Sequence, residues 1–198
     1  MLLEDENNEN KDKFSEELMD NLTESERLGV MYFAGIKALK EKVEDSSNLL
    51  YKLALLKEDN VIFSTLFFLF VVLTGNDVEV KNTILKCKQE EFSEKNVSDK
   101  EVNEYIDAFN IRMKVLAQKY MDANERVKND EEFQKNIINE FSTYLMDELK
   151  IDKTKEAYSE LEEIFLSALK IAFGFKDAEK TIADMKDETI KNTESGNK

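Results

Sequence analysis

Two pairs of neighbouring carboxylates, Asp147-Glu148 and Glu162-Glu163, and one thiol between two lysines, Lys86-Cys87-Lys88, are the residues whose types and spacing permit chemistry. Carboxylates that meet across two helices can share a proton or hold a metal ion. Di-iron helical bundles complete such a set with a Glu-x-x-His pair, and this chain of 198 residues has no histidine. The same lack removes Ser-His-Asp and Cys-His nucleophile systems, His-ligated zinc and haem, and imidazole bases. A single cysteine leaves no thiolate set for zinc or an iron–sulfur cluster and no partner for an internal disulfide. Ammonium groups beside Cys87 can lower a thiol pKa, but the plainer reading is a small residue on a helix face. The five glycines form neither G-x-G-x-x-G nor a phosphate-binding P-loop. The expectation is therefore no enzyme, no cofactor and no metal.

Charge offers a different chemistry, that of recognition. The chain carries a formal net charge of −15. Its first 26 residues hold ten acidic and two basic side chains, which is eight of those fifteen charges. Glu4, Asp5, Glu6, Glu9 and Asp12 sit on that stretch and are the candidate partner-binding residues. Lys37, Lys40 and Lys42 are only a local basic cluster, so direct nucleic-acid binding is not expected. There are 25 lysines against three arginines, and 17 asparagines, a bias expected from an A+T-rich genome.

The elements that position these groups read as helices throughout. The absence of proline and the scarcity of glycine argue against a turn-rich β fold. Residues 1–13 are acidic and aperiodic and read as a disordered arm. Phe14, Leu18 and Leu22 suggest a short first helix. Thr23-Glu24-Ser25-Glu26 is a capping box opening a helix with Leu28, Met31, Tyr32, Gly35, Ile36, Leu39 and Val43 on one stripe. After a break at 45–48, Leu49 to Leu56 form a second stripe that ends near Lys57-Glu58-Asp59-Asn60.

Val61 to Leu73 is the densest apolar run, with only Ser64 and Thr65 polar, and reads as a helix buried on every side. It falls short of the roughly 20 residues a membrane span needs, so a membrane role is not expected. Gly75 supplies the helix stop. Val80, Ile84, Cys87 and Phe92 make a weaker amphipathic helix. Ser98-Asp99-Lys100-Glu101 is a second capping box. It opens a helix over about 99–128 whose seam runs Val102, Ile106, Phe109, Met113, Leu116, Tyr120, Ala123, Val127 in heptad steps. Ala108, Ile111 and Val115 add a second stripe, which predicts a central helix with partners on both sides. That breadth favours an intramolecular helix, with homodimerisation through 102–127 as the alternative.

Asp130 caps a helix with Phe133, Ile137, Phe141, Leu145 and Leu149, and Asp152 to Thr154 cap another with Tyr158, Leu161, Phe165, Ala168 and Ala172. Gly174-Phe175 fits a helix stop, after which Asp177 would cap a last short helix. The fold expected is all-α: one bundle of about seven to nine helices over residues 14–190, with a disordered tail at 191–198. The N-terminus, Met1-Leu2-Leu3-Glu4-Asp5-Glu6, lacks a charged and apolar leader, so the location expected is cytoplasmic.

The function expected is non-catalytic protein binding by an adaptor, inhibitor or chaperone-like module. Thirteen Phe and seven Met side chains are available to line a helical surface. The alternatives are an acidic decoy against a nucleic-acid-binding protein such as a defence nuclease, and a membrane-active or ligand-binding bundle.

Overall fold

The computed structural model describes residues 21–46, 56–73, 75, 78–120 and 124–195, with side chains described as far as Phe175. Every described element is helical: α1 (Glu24–Ser46), α2 (Leu56–Phe67), a π turn (Phe68–Val72), α3 (Val78–Glu94), α4 (Asp99–Tyr120), α5 (Asn124–Asn129), α6 (Glu131–Leu149) and α7 (Lys155–Ser195). The chain is an all-α bundle.

Local chemistry sets most starts. In α1 the Thr23 hydroxyl accepts from the Glu26 amide (3.2 Å) while the Glu26 carboxylate accepts from the Thr23 amide (2.9 Å). Ser98 and Glu101 repeat the exchange ahead of α4. The Asp130 side chain accepts from the Phe133 amide at 2.9 Å and opens α6. Thr154 Oγ1 does the same for the Ala157 amide and opens α7. After α2, Gly75 takes a φ of 67°, a left-handed conformation that a Cβ would strain.

The core forms around the second described helix. From Val61 to Val71 every side chain is buried, as is Leu73. Continuous burial needs neighbours on all sides, and α2 packs against α1, α4 and α6 while its π turn meets α7 and α4. Leu73 donates to the Phe68 carbonyl across five residues. Consecutive side chains of the turn reach different neighbours: Phe68 meets Tyr120 and Phe141, and Phe70 meets Tyr32. Helix α1 lies between α3 and α7. At Gly29 the approach is so close that a Cβ would stand 2.6 Å from Thr83 Cβ. Tyr32 crosses to the far end of the chain, donating to the Ala172 carbonyl at 2.7 Å and stacking on Phe175 with centroids 6.3 Å apart.

Four expectations change. Lys57 to Asn60 do not end a helix; they lie inside α2, which runs unbroken into the apolar run. Helix α4 is not central: Phe109 and Leu116 of its seam are buried, but on the other face Ile111 is 66% and Val115 56% exposed. Gly174 does not stop a helix, and Asp177 lies within a helix rather than ahead of a new one, because α7 continues to Ser195, into residues 191–198. The contacts of Ala172 and Phe175 with Tyr32 hold the helix on both sides of Gly174, and these override a local stop signal worth about 1 kcal/mol. The seam expected over about 99–128 is divided between α4 and α5, with residues 121–123 outside the described set. The acidic arm, the helix at 14–20 and the stripe at 49–55 also lie outside the described residues.

Candidate functional site

Nothing in the sequence marks Lys88 apart from Lys86, yet its side chain is only 4% exposed. An ammonium group taken out of water must be compensated by opposite charge and hydrogen bonds. Helices α2, α3 and α4 each supply part of that compensation, and α1 extends the network. Lys88 Nζ lies 3.0 Å from Asp59 Oδ2 on α2 and 2.9 Å from Glu91 Oε2 one turn along α3. The other Asp59 oxygen meets Lys40 Nζ of α1 at 2.6 Å, and Lys40 also pairs with Glu44 at 3.0 Å. Tyr105 of α4 donates its hydroxyl to Asp59 Oδ2 at 2.9 Å. Lys95, exposed to solvent, pairs with the second oxygen of Glu91. Three cations and three carboxylates thus form one neutral chain of contacts.

Aromatic rings complete the enclosure. Lys88 Nζ is 5.1 Å from the centroid of Phe63, 5.0 Å from Phe92 and 5.5 Å from Tyr105. Ring faces attract a cation through their quadrupoles, the more so where water is excluded. Beneath them Asn60, fully buried, donates to the Tyr105 carbonyl at 2.8 Å and ties α2 to α4. A cleft of about 530 Å³ adjoins the cage at Phe92; it is also lined by Gln89, Ser93, Asn96, Val97 and Val102.

The titration of the cluster follows from its contacts. Burial pushes the Asp59 carboxyl up, but the ammonium groups of Lys88 and Lys40 outweigh it and hold the pKa below the usual carboxylate value. Glu91 is lowered the same way, burial being overcome by its hydrogen bonds from Lys95 and Lys88. Burial, then the Asp59 charge, raises the Tyr105 phenol well above its ordinary value, so it stays a donor. Lys40 is raised because Asp59 and Glu44 outweigh its desolvation.

Carboxylates with depressed folded pKa values stabilise the fold above their unfolded pKa of about 4, and that contribution disappears as pH falls through the folded value. The expected result is a loss of stability below about pH 4 that is shallower in Asp59→Asn than in the parent, read from chemical denaturation at a series of pH values. Equal acid slopes in the two proteins would remove Asp59 from this account.

The residues singled out for chemistry are not assembled by the fold. Asp147 pairs with Lys153 at 2.6 Å and Glu148 with Arg112 at 3.1 Å, while Glu162 and Glu163 are exposed. Among the described residues no group of three Asp, Glu or Cys side chains stands in metal-holding range. Cys87 is half-buried, and burial together with the Glu90 carboxylate raises its pKa, overriding Lys86. Its thiol is therefore not the activated one that flanking lysines suggest. Glu4, Asp5, Glu6, Glu9 and Asp12 lie outside the described residues. No helix among the described residues is long and apolar enough to cross a membrane.

A second feature is on the surface. Ile111 and Val115, one turn apart on α4, are exposed apolar side chains on a helix whose opposite face is packed. The Arg112–Glu148 pair and the Lys119–Glu140 pair (2.6 Å) tie one flank of α4 to α6, which fixes the direction of that outward face. No protein-family model, curated protein or solved structure matches the chain.

Proposed function

We propose that this chain works by binding another protein, without catalysis, and that the outward face of α4 is the surface it uses. The observation that carries this reading is the exposed Ile111–Val115 stripe on a helix anchored by its other side. An apolar stripe on a fixed helix matches the way helices dock through positions one turn apart. The buried ionic cluster supports it from the other direction. Its Lys, Asp, Glu and Tyr groups are engaged with one another, so their perturbed environments have a structural cause.

The test is capture of proteins from the native cell on the immobilised full-length chain, with mass spectrometry, comparing the parent with an Ile111→Glu/Val115→Glu variant. Both positions face solvent, so circular dichroism should show an unchanged melt. Proteins retained by the parent and lost by the variant are the expected result. Retention indifferent to the variant would overturn the reading. If that retention also fell steeply with salt, binding would move to the acidic N-terminal residues.

A further inference from the structure

We infer that the outward face of α4 pairs with a second copy of the same chain, antiparallel and centred on Ile111. This rests on the reading of that face as a protein-binding surface and names its partner.

The register of α4 makes this face complementary to itself. Successive residues on a helix turn by about 100° and rise by about 1.5 Å. With Ile111 at the middle of the face, Asp107 and Lys114 fall about 40° and 60° to one side, and Val115 and Ala108 about 40° and 60° to the other. In an antiparallel pair related by a two-fold axis through Ile111, each side of one helix meets the same side of its copy. Asp107 lies four residues before the axis and Lys114 three after it. Each Asp107 is therefore brought within about one residue's rise of Lys114 in the second copy, and the symmetry makes this contact twice. On the other side Val115 meets Ala108 of the second copy by the same arithmetic, and Ile111 packs on its own equivalent. The face is complementary to itself in both charge and apolarity.

The charges are available for this. Both Asp107 and Lys114 are exposed, and among the described residues neither has an ion-pair partner. The residues three and four positions from Lys114 are Asn110, Ile111, Ala117 and Gln118, and Asp107 has no basic neighbour at those spacings. Lys100 and Glu104 on the same helix, and Lys40 and Glu44 on α1, do pair at that spacing. Like charges are also kept off the axis, where Ile111 lies.

A single helix pair lies at the small end of specific interfaces, so the dimer should be reversible, with a dissociation constant on the order of 10 μM. Sedimentation equilibrium of the full chain on either side of that concentration tests it. The parent should shift from monomer to dimer, and Asp107→Lys or Lys114→Asp alone should weaken association about tenfold. The two reversals together should restore it. In a Cys87→Ser background, Ile111→Cys should give a disulfide-linked dimer on mild oxidation, because only that position faces itself. Overturning results are a monomer at every concentration reached, charge reversals without effect, or a dimer in which Ile111→Cys fails to cross-link. A monomeric parent whose captured proteins are still lost in Ile111→Glu/Val115→Glu overturns self-pairing and leaves the protein-binding reading intact.

Discussion

Replacing Lys88 by methionine should lower the free energy of unfolding by about 3–5 kcal/mol, although methionine nearly matches the volume of the lysine stem. The loss comes from what is left behind. Asp59 and Glu91 would remain, both buried, with the 3.0 Å and 2.9 Å contacts to Lys88 gone and only Lys40, Lys95 and Tyr105 to compensate. Three rings would also face a thioether in place of a cation. A double-mutant cycle with Asp59→Asn separates these causes. Neutralising Asp59 should recover part of the loss, giving a coupling of at least about 1 kcal/mol by urea denaturation. Additive effects would mean that Lys88 acts through packing alone.

The second large effect belongs to Phe70. Its ring sits edge-on to Tyr32 at 5.2 Å and occupies the space beside Gly35, where a Cβ would stand 3.1 Å from Phe70 Cε1. Phe70→Ala should therefore cost about 3–5 kcal/mol, because α1 and α7 close over the void only partly. Gly35→Ala in the parent should destabilise by crowding the ring. In the Phe70→Ala background the same change should stabilise, since it meets open space and improves helix propensity by about 1 kcal/mol. That change of sign, measured by thermal melts of the four proteins, reads the contact directly. If Gly35→Ala acts alike in both backgrounds, the ring and the glycine are not complementary.

The all-α class and several helix starts were legible because their causes are local. A capping box needs four residues, and Thr23–Glu26 and Ser98–Glu101 carry everything that makes the hydrogen bonds. The burial of 61–71 was legible because no amphipathic arrangement can leave half of such a run in water. The ionic cluster was not legible, for the converse reason. Lys40, Asp59, Lys88 and Tyr105 come from four helices, and nothing in the order of residues states which helices are neighbours. The clues were Lys88 and Glu91 one turn apart and Asp59 entering the apolar run, but the same patterns cover many exposed faces. The stripe of Ala108, Ile111 and Val115 misled in a related way. Apolarity marks a face that gains by being covered; it does not say whether this chain supplies the cover. At Gly174 the local stop signal was real and lost to Tyr32, 142 residues earlier in the chain.

That span from Tyr32 to Ala172 also bears on how the protein is made. Helix α1 emerges from the ribosome early, and α3 can dock on it soon after. Its side toward α7 cannot be covered until residues 172–175 are synthesised. At about 5–20 residues per second, a gap of 140 residues leaves that surface waiting roughly 7–28 s. During this interval Tyr32 and the Phe70 side of the core are open to chaperones and to other nascent chains. Emergence of residues 172–175, rather than the formation of any one helix, is then the moment at which the α1–α7 contact can close.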